Sequence, residues 1–242
     1  MAETKATDPV VVETIPTTTS SQDFWTRFSK PIIYVGSAII ILIAAWYGYK
    51  KFVTEPKERE ANELVFAAEN LFGKMATSGF NKDSVNIVIN GGDIDGQKVT
   101  GVLKVISNFG GTAAGDRAKY IAGACYLQIK EFDKAVKYLK DFDGNGATQV
   151  QSKAYLMLGH AYAEQKKTSD ALSAYKKAAS VNDKDEFFAA DALLIAAAYA
   201  ASTGNDKEAI SLYEQVKTKY PSHIAVQNGD IDKNLARLGI VK

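Results

Sequence analysis

Cysteine and histidine are nearly missing from this 242-residue chain: Cys125 stands alone, and His160 and His223 are the only histidines. One thiol excludes an internal disulfide and says little about compartment; within a helical pattern Cys125 reads as a small buried hydrophobe. A zinc site takes three or four Cys, His or carboxylate ligands, and the two histidines lie far apart without Cys or His neighbours, so no metal ligand is expected. An excess of one charge is missing too. Lysine plus arginine number 29 against 28 aspartate plus glutamate, so no basic face is available to displace counterions from phosphates, and nucleic acid is not an expected partner. The phosphate loop G-x-x-x-x-G-K-[ST], a G-x-G-x-x-G after a strand and the G-x-S-x-G elbow are all absent. No catalytic or cofactor-binding residue is expected, and the chain does not read as an enzyme.

What is present begins with an apolar run. From Pro31 to Tyr49 no side chain is charged, and about 20 apolar residues in a helix cross the ~30 Å hydrocarbon layer. A secretory signal has a shorter apolar core and a small-residue cleavage site; this run follows a polar tail and lacks a convincing cleavage site. Soluble helices rarely run so long without a polar face. The expectation is a retained membrane helix over 31–52. Trp25 and Phe28 on one side and Trp46, Tyr47, Tyr49 and Phe52 on the other suit the two interfaces. Residues 1–30, rich in Thr, Ser and Pro near the start, read as a disordered tail.

After Pro56, which suits a helix start, Ala61, Leu64, Val65, Ala68, Leu71, Phe72 and Met75 recur at three and four, one apolar stripe on a helix. Residues 77–98 break that pattern and read as an inserted loop with room for a helical turn, and Val99 to Phe109 as a short helix burying Val102, Val105, Ile106 and Phe109. From Asp116 onward helix, short turn and helix alternate, without any period-two stretch. The soluble part is expected to be all-α.

A repeat then emerges. Leu158-Gly159 is followed by Tyr162, Ala171, Tyr175 and Ala178, small residues where paired helices touch and large ones filling the gaps. A looser copy precedes it (Gly123, Tyr126, Ala135, Leu139, Phe142) and another follows (Tyr199, Ala209, Tyr213, Pro221). The pattern resembles the tetratricopeptide repeat, with Tyr155 where that family usually has Trp, and its alanines stand slightly farther apart than the usual period. The resemblance implies a solenoid of antiparallel helix hairpins over 57–242: a degenerate first pair at 57–110, repeats near 116–148, 149–183 and 186–221, and a capping helix at 223–238. "DFDGNG" (141–146) copies the front of an EF-hand loop. Ser152 stands where the bidentate Glu belongs, and the stretch falls between repeats, where a turn is expected.

The resemblance also implies a partner-binding groove lined by the first helix of each hairpin. Its residues would be Arg117, Tyr120, Leu127 and Gln128, then Lys153, Leu156, His160 and Glu164, then Asp191 and Leu194. The Lys and Asn that grip a chaperone's C-terminal carboxylate in some family members are replaced by Tyr120 with Ala124 and Leu156 with His160. The mixed groove suits extended or helical protein segments.

The layout of tail, single span, "EPKE" and a small repeat array resembles the YfgM-like ancillary subunit of the bacterial Sec translocon, in its Bacteroidota form. That resemblance implies an inner-membrane protein with a cytoplasmic N-terminus and a periplasmic repeat domain, bound to SecYEG and a PpiD-like membrane-anchored chaperone. The charges point the other way. Arg27 and Lys30 precede the span and Lys50, Lys51, Lys57 and Arg59 follow it, a bias that places the repeats in the cytoplasm by the positive-inside rule. Long translocated domains follow that rule poorly, and Glu55, Glu58 and Glu60 surround those bases. The residues alone leave open a repeat scaffold for another cell-envelope or cytoplasmic-face complex, and an enzyme whose only support is the 77–98 insertion.

Overall fold

The structure, a computed structural model, describes residues 20–240, with side chains from Phe28 onward. The expected tail over 1–19 and the Trp25 side chain lie outside the described residues. The chain divides after Val53 into two units.

The first unit carries helix α1, Ser20–Tyr49, followed by a π-helical turn, Lys50–Thr54. Backbone polar groups satisfied within the segment are the condition for crossing hydrocarbon, and a helix meets it. The apolar side chains of α1 point outward all round, with Ile33 at 66% and Leu42 at 69% exposure. This is the one helix among the described residues long and apolar enough to cross a membrane. The uncharged stretch 31–49 alone covers ~28 Å at the helical rise of 1.5 Å per residue. Lys50 places its ammonium 5.5 Å from the Trp46 ring, the pairing of aromatic and cation that suits a headgroup layer. Two boundaries differ from expectation. Helix begins at Ser20, inside the expected tail, because residues 20–30 carry no helix-breaking glycine and Pro31 is the first proline they meet. At the other end α-helical geometry gives way at Lys50, so the expected span 31–52 closes in the π turn.

The second unit is all-α apart from one small hairpin. Helix α2, Glu55–Ser78, buries Ala61, Val65, Ala68, Leu71 and Met75, the stripe read from spacing. The expected insertion 77–98 is more regular than a loop with a helical turn: it holds helix α3, Lys82–Asn90, and two strands, β1 (Gly92–Ile94) and β2 (Gln97–Val99), paired antiparallel with Gly92 opposite Val99. Asn81 caps α3 by accepting from the Ser84 N–H at 2.8 Å. The buried apolar residues are Val85, Val88 and Ile89, a helical three-and-four spacing that the alternation of Val85, Ile87 and Ile89 disguised. Asp95 and Gly96 both take positive φ, 51° and 76°, the two-residue turn that Asp-Gly favours in hairpins. Helix α4, Val102–Phe109, starts three residues later than expected because Val99 belongs to β2. At Gly101 a Cβ would lie 2.3 Å from the Asn90 carbonyl carbon, so the entry to α4 presses directly on the end of α3.

Three hairpins follow: α5 (Ala113–Gln128) with α6 (Phe132–Lys140), α7 (Thr148–Glu164) with α8 (Thr168–Val181), and α9 (Glu186–Ser202) with α10 (Asp206–Lys219). Ala135, Ala171 and Ala209, the repeat's small residues, are fully buried in α6, α8 and α10. Facing them, glycine permits close approach. A Cβ on Gly123 would lie 2.5 Å from Leu139 Cγ, and one on Gly159 would lie 2.4 Å from two ring carbons of Tyr175. The third hairpin places buried Ala196 on the corresponding helix. Tyr175 reaches past its own hairpin to meet Tyr199 of α9 edge-on at 6.0 Å, so one ring joins two repeats. Helix α9 shows no single apolar stripe, because it is packed between α8 and α10 and buries Ala190, Ala192, Leu193 and Ala197 on several sides. The expected capping helix 223–238 is broken in two, α11 (Ile224–Gln227) and α12 (Asp230–Arg237), by Gly229 at φ 72°. Ile231 and Leu235 of α12 close the core against α10.

One carboxylate of the N-terminal elements caps the first helix of the stack. Glu58 of α2 accepts from the backbone N–H of Ala113 (2.9 Å) and of Ala114 (3.0 Å) at the start of α5. Thr112 accepts from the Gly115 N–H at 3.0 Å. Orphan donors at a helix start are thus satisfied, and the negative charge sits at the positive end of the helix dipole.

Candidate functional site

The expected groove residues lie on α5, α7 and α9, and the structure gives them different surroundings. Arg117 of α5 is held on α2: its Nε donates to Glu69 Oε1 at 2.7 Å and its guanidinium donates to Asn62 Oδ1 at 2.6 Å. Tyr120 sits between Phe72, edge-on at 6.5 Å, and Phe142 at 5.5 Å, and burial pushes its phenol above the ordinary 10.0. Leu127 is half-buried against the core, and Gln128 faces solvent beside Phe80 and Val85 of the N-terminal segment.

On α7, Lys153 and Glu164 are exposed and Leu156 is half-buried. His160 is part of the packing: its Nδ1 lies 3.0 Å from the Tyr175 hydroxyl and the rings meet edge-on at 5.3 Å. Burial lowers the imidazole below the ordinary 6.5, opposed by the nearby Glu164 carboxylate, and burial pushes Tyr175 up to about 12. A neutral imidazole accepting the phenol proton at Nδ1 agrees with both directions. On α9, Leu194 is half-buried, while Asp191 faces His223 Nε2 at 3.3 Å. His223 is itself buried, and its Nδ1 accepts from the Ala225 N–H at 3.3 Å, capping α11. Asp191 therefore anchors the terminal segment.

Of the expected residues, Arg117 and Tyr120 line one cavity together. It lies between α2, the start of α5 and the linker 141–147, with a volume of about 350 Å³. Phe72, Tyr120, Ile121 and Phe142 form its apolar floor and Val150 of α7, 36% exposed, stands on its lip. The linker wall is stiffly built. Asn145, at φ 47°, donates its N–H to Asp143 Oδ1 (2.8 Å) and its side-chain amide to Asp116 Oδ2 (2.9 Å), and the Gly144 N–H donates to Gln151 Oε1 at 2.7 Å. This is the "DFDGNG" stretch, and it is a turn between repeats. Phe72, Phe142, Asp143 and Val150 were not among the expected site residues, because the cavity joins three segments remote in sequence and no periodicity links them.

The family model described as tetratricopeptide repeat matches residues 156–224, from the middle of α7 through α10 to the start of α11. Residues 156–224 are thus similar to a tetratricopeptide repeat, an architecture that serves protein–protein interaction, and the match points to no catalytic family. The comparison with curated proteins found no match.

Proposed function

We propose that the chain is a membrane-anchored adaptor, tethered through α1, that holds other proteins on its repeat stack as an ancillary subunit of the Sec translocon. In this reading it works beside SecYEG and a PpiD-like chaperone on newly exported proteins, with its N-terminus in the cytoplasm and its repeats in the periplasm. It is a binding protein and not an enzyme. The observation that carries the reading is the combination of an outward-facing apolar helix with a stack of tetratricopeptide hairpins behind it. Such a layout confines a protein-binding surface to a membrane. The choice of the Sec complex rests on the resemblance in layout to the YfgM-like family.

Two experiments test it. Gentle solubilisation of membranes followed by affinity purification of the full chain is expected to recover Sec channel and chaperone components; their absence would overturn the translocon assignment. Sidedness is read with a Lys98→Cys variant in intact cells. Lys98 is exposed and the native Cys125 is buried, so an impermeant thiol reagent reports the hairpin without background. Labelling supports the periplasmic placement, and protection until lysis puts the repeats in the cytoplasm, on a scaffold of different address.

A further inference from the structure

We propose that the cavity between α2, α5 and the 141–147 linker seats one bulky apolar side chain of a partner protein segment that carries a lysine or arginine beside it. The inference rests on the adaptor reading and names the chemistry of what one site on the adaptor takes. About 350 Å³ is at the small end of pockets that hold ligands, which suits a single anchoring residue. Three aromatic rings stand at its floor, Tyr120 packing against both Phe72 and Phe142, and they offer faces and edges to a fourth ring or a branched aliphatic group.

The mouth supplies the charge argument. Its carboxylates are Glu69, Asp116 and Asp143 and its cation is Arg117. Arg117 pairs with Glu69 at 2.7 Å, and Lys119 pairs with Asp116 at 2.7 Å. Asp143 is exposed; its carboxylate accepts the Asn145 N–H at 2.8 Å, its backbone carbonyl accepts from the Asn145 side-chain amide at 3.2 Å, and it forms no ion pair with a described residue. One negative charge is thus left at the rim of an apolar hole, complementary to a cation flanking the inserted side chain. The wall that carries it is pinned by the Asn145 and Gly144 hydrogen bonds, so little ordering opposes binding. The cavity lies outside the residues matched by the repeat family, so it is a feature of this chain's own N-terminal helices and linker.

The test uses the purified full chain in nanodiscs of zwitterionic phosphatidylcholine, titrated by calorimetry with three blocked pentapeptides: Gly-Lys-Trp-Lys-Gly, Gly-Glu-Trp-Glu-Gly and Gly-Lys-Ala-Lys-Gly. The lysine–tryptophan peptide is expected to bind saturably, the glutamate version at least fivefold more weakly, and the alanine version not at all. Val150→Trp fills the cavity from its exposed lip and is expected to abolish binding. Asp143→Asn keeps the acceptor that holds the turn, removes the charge, and is expected to weaken binding about twofold to fivefold, the factor for a partly exposed ion pair. The proposal is overturned by failure of the lysine–tryptophan peptide to bind, by unchanged binding in Val150→Trp, or by equal affinity for the glutamate peptide. Free indole binding as tightly as the peptide would make this a small-molecule pocket, and a changed oligomeric state in Val150→Trp would make a second copy the occupant; either result overturns it too. Peptide titration reads the pocket alone and co-purification reads the assembly, so each can fail without the other.

Discussion

Replacing Gly159 with alanine places a methyl group where the structure has none to spare. The new Cβ would lie 2.4 Å from both Cδ1 and Cε1 of Tyr175, whereas carbon atoms pack best at about 3.5–4.0 Å. The ring has to retreat by more than ~1 Å. It is 2% exposed, edge-on to Tyr199 at 6.0 Å, and bonded to His160 at 3.0 Å, so retreat disturbs the next repeat and the hydrogen bond together. Overpacking of a filled core costs about 1–3 kcal/mol. Alanine returns up to ~1 kcal/mol through its higher helix propensity, leaving a net loss of up to about 2 kcal/mol once that full return is counted. For a domain of this size each 1 kcal/mol moves the melting temperature by roughly 2–4 °C. Gly73 of α2 provides the opposite case: it is exposed and a Cβ there meets nothing within 4 Å, so Gly73→Ala is expected to gain up to ~1 kcal/mol. Urea and thermal unfolding of both variants, with m-values compared, check the pair. If Gly159→Ala matches or exceeds the wild type, the close contact between α7 and α8 is not what holds that hairpin.

Glu58→Ala removes the carboxylate that accepts from Ala113 and Ala114. Hydrogen bonds to charged groups are worth about 1.5–3 kcal/mol, so a loss of ~2 kcal/mol in urea unfolding is expected, and amide exchange at the start of α5 should rise. Acid stability is set partly by His160, whose imidazole is lowered from 6.5 by burial. The unfolded chain takes up that proton first as pH falls, so the stabilisation is present above pH 6.5 and is lost as pH falls from 6.5 toward the folded value. His160→Gln should therefore lose less melting temperature between pH 7 and 5 than the wild type; an equal or larger loss refutes the assignment. Tyr175, raised to about 12, works at the alkaline end. Its unfolded form ionises first above pH 10, so stability is lost there, and Tyr175→Phe should flatten that limb of a pH–stability curve. Cys125 is buried and its thiol is pushed up to about 12, so iodoacetamide at pH 8 should leave the native chain unmodified and label it only in denaturant.

Helix α2 was legible because one face is core and the other solvent, and seven apolar residues at three-and-four spacing record that. The α7–α8 hairpin was legible for a related reason: Gly159, Ala171 and Tyr175 are constrained by direct contact and keep a fixed spacing. Segment 77–98 was misread because a short helix and a two-residue hairpin each leave a brief signal. The helix cap at Asn81 and the Asp-Gly turn were visible as residues, yet nothing nearby marked which pairing they served. The groove residues were placed by analogy with the repeat frame, and several turn out to be held by neighbours the frame does not contain, Arg117 by Glu69 and Asp191 by His223.

By itself the sequence determined the apolar membrane-length helix, the all-α character and the repeat, since each is a local run or periodicity that needs no distant residue to be read. Only the tertiary structure decided which surface is open. The cavity under Asp143 exists because α2 lays Phe72 beside Tyr120 of α5 while the 141–147 linker closes over both. Long-range packing of that kind brings together residues whose positions along the chain share no period.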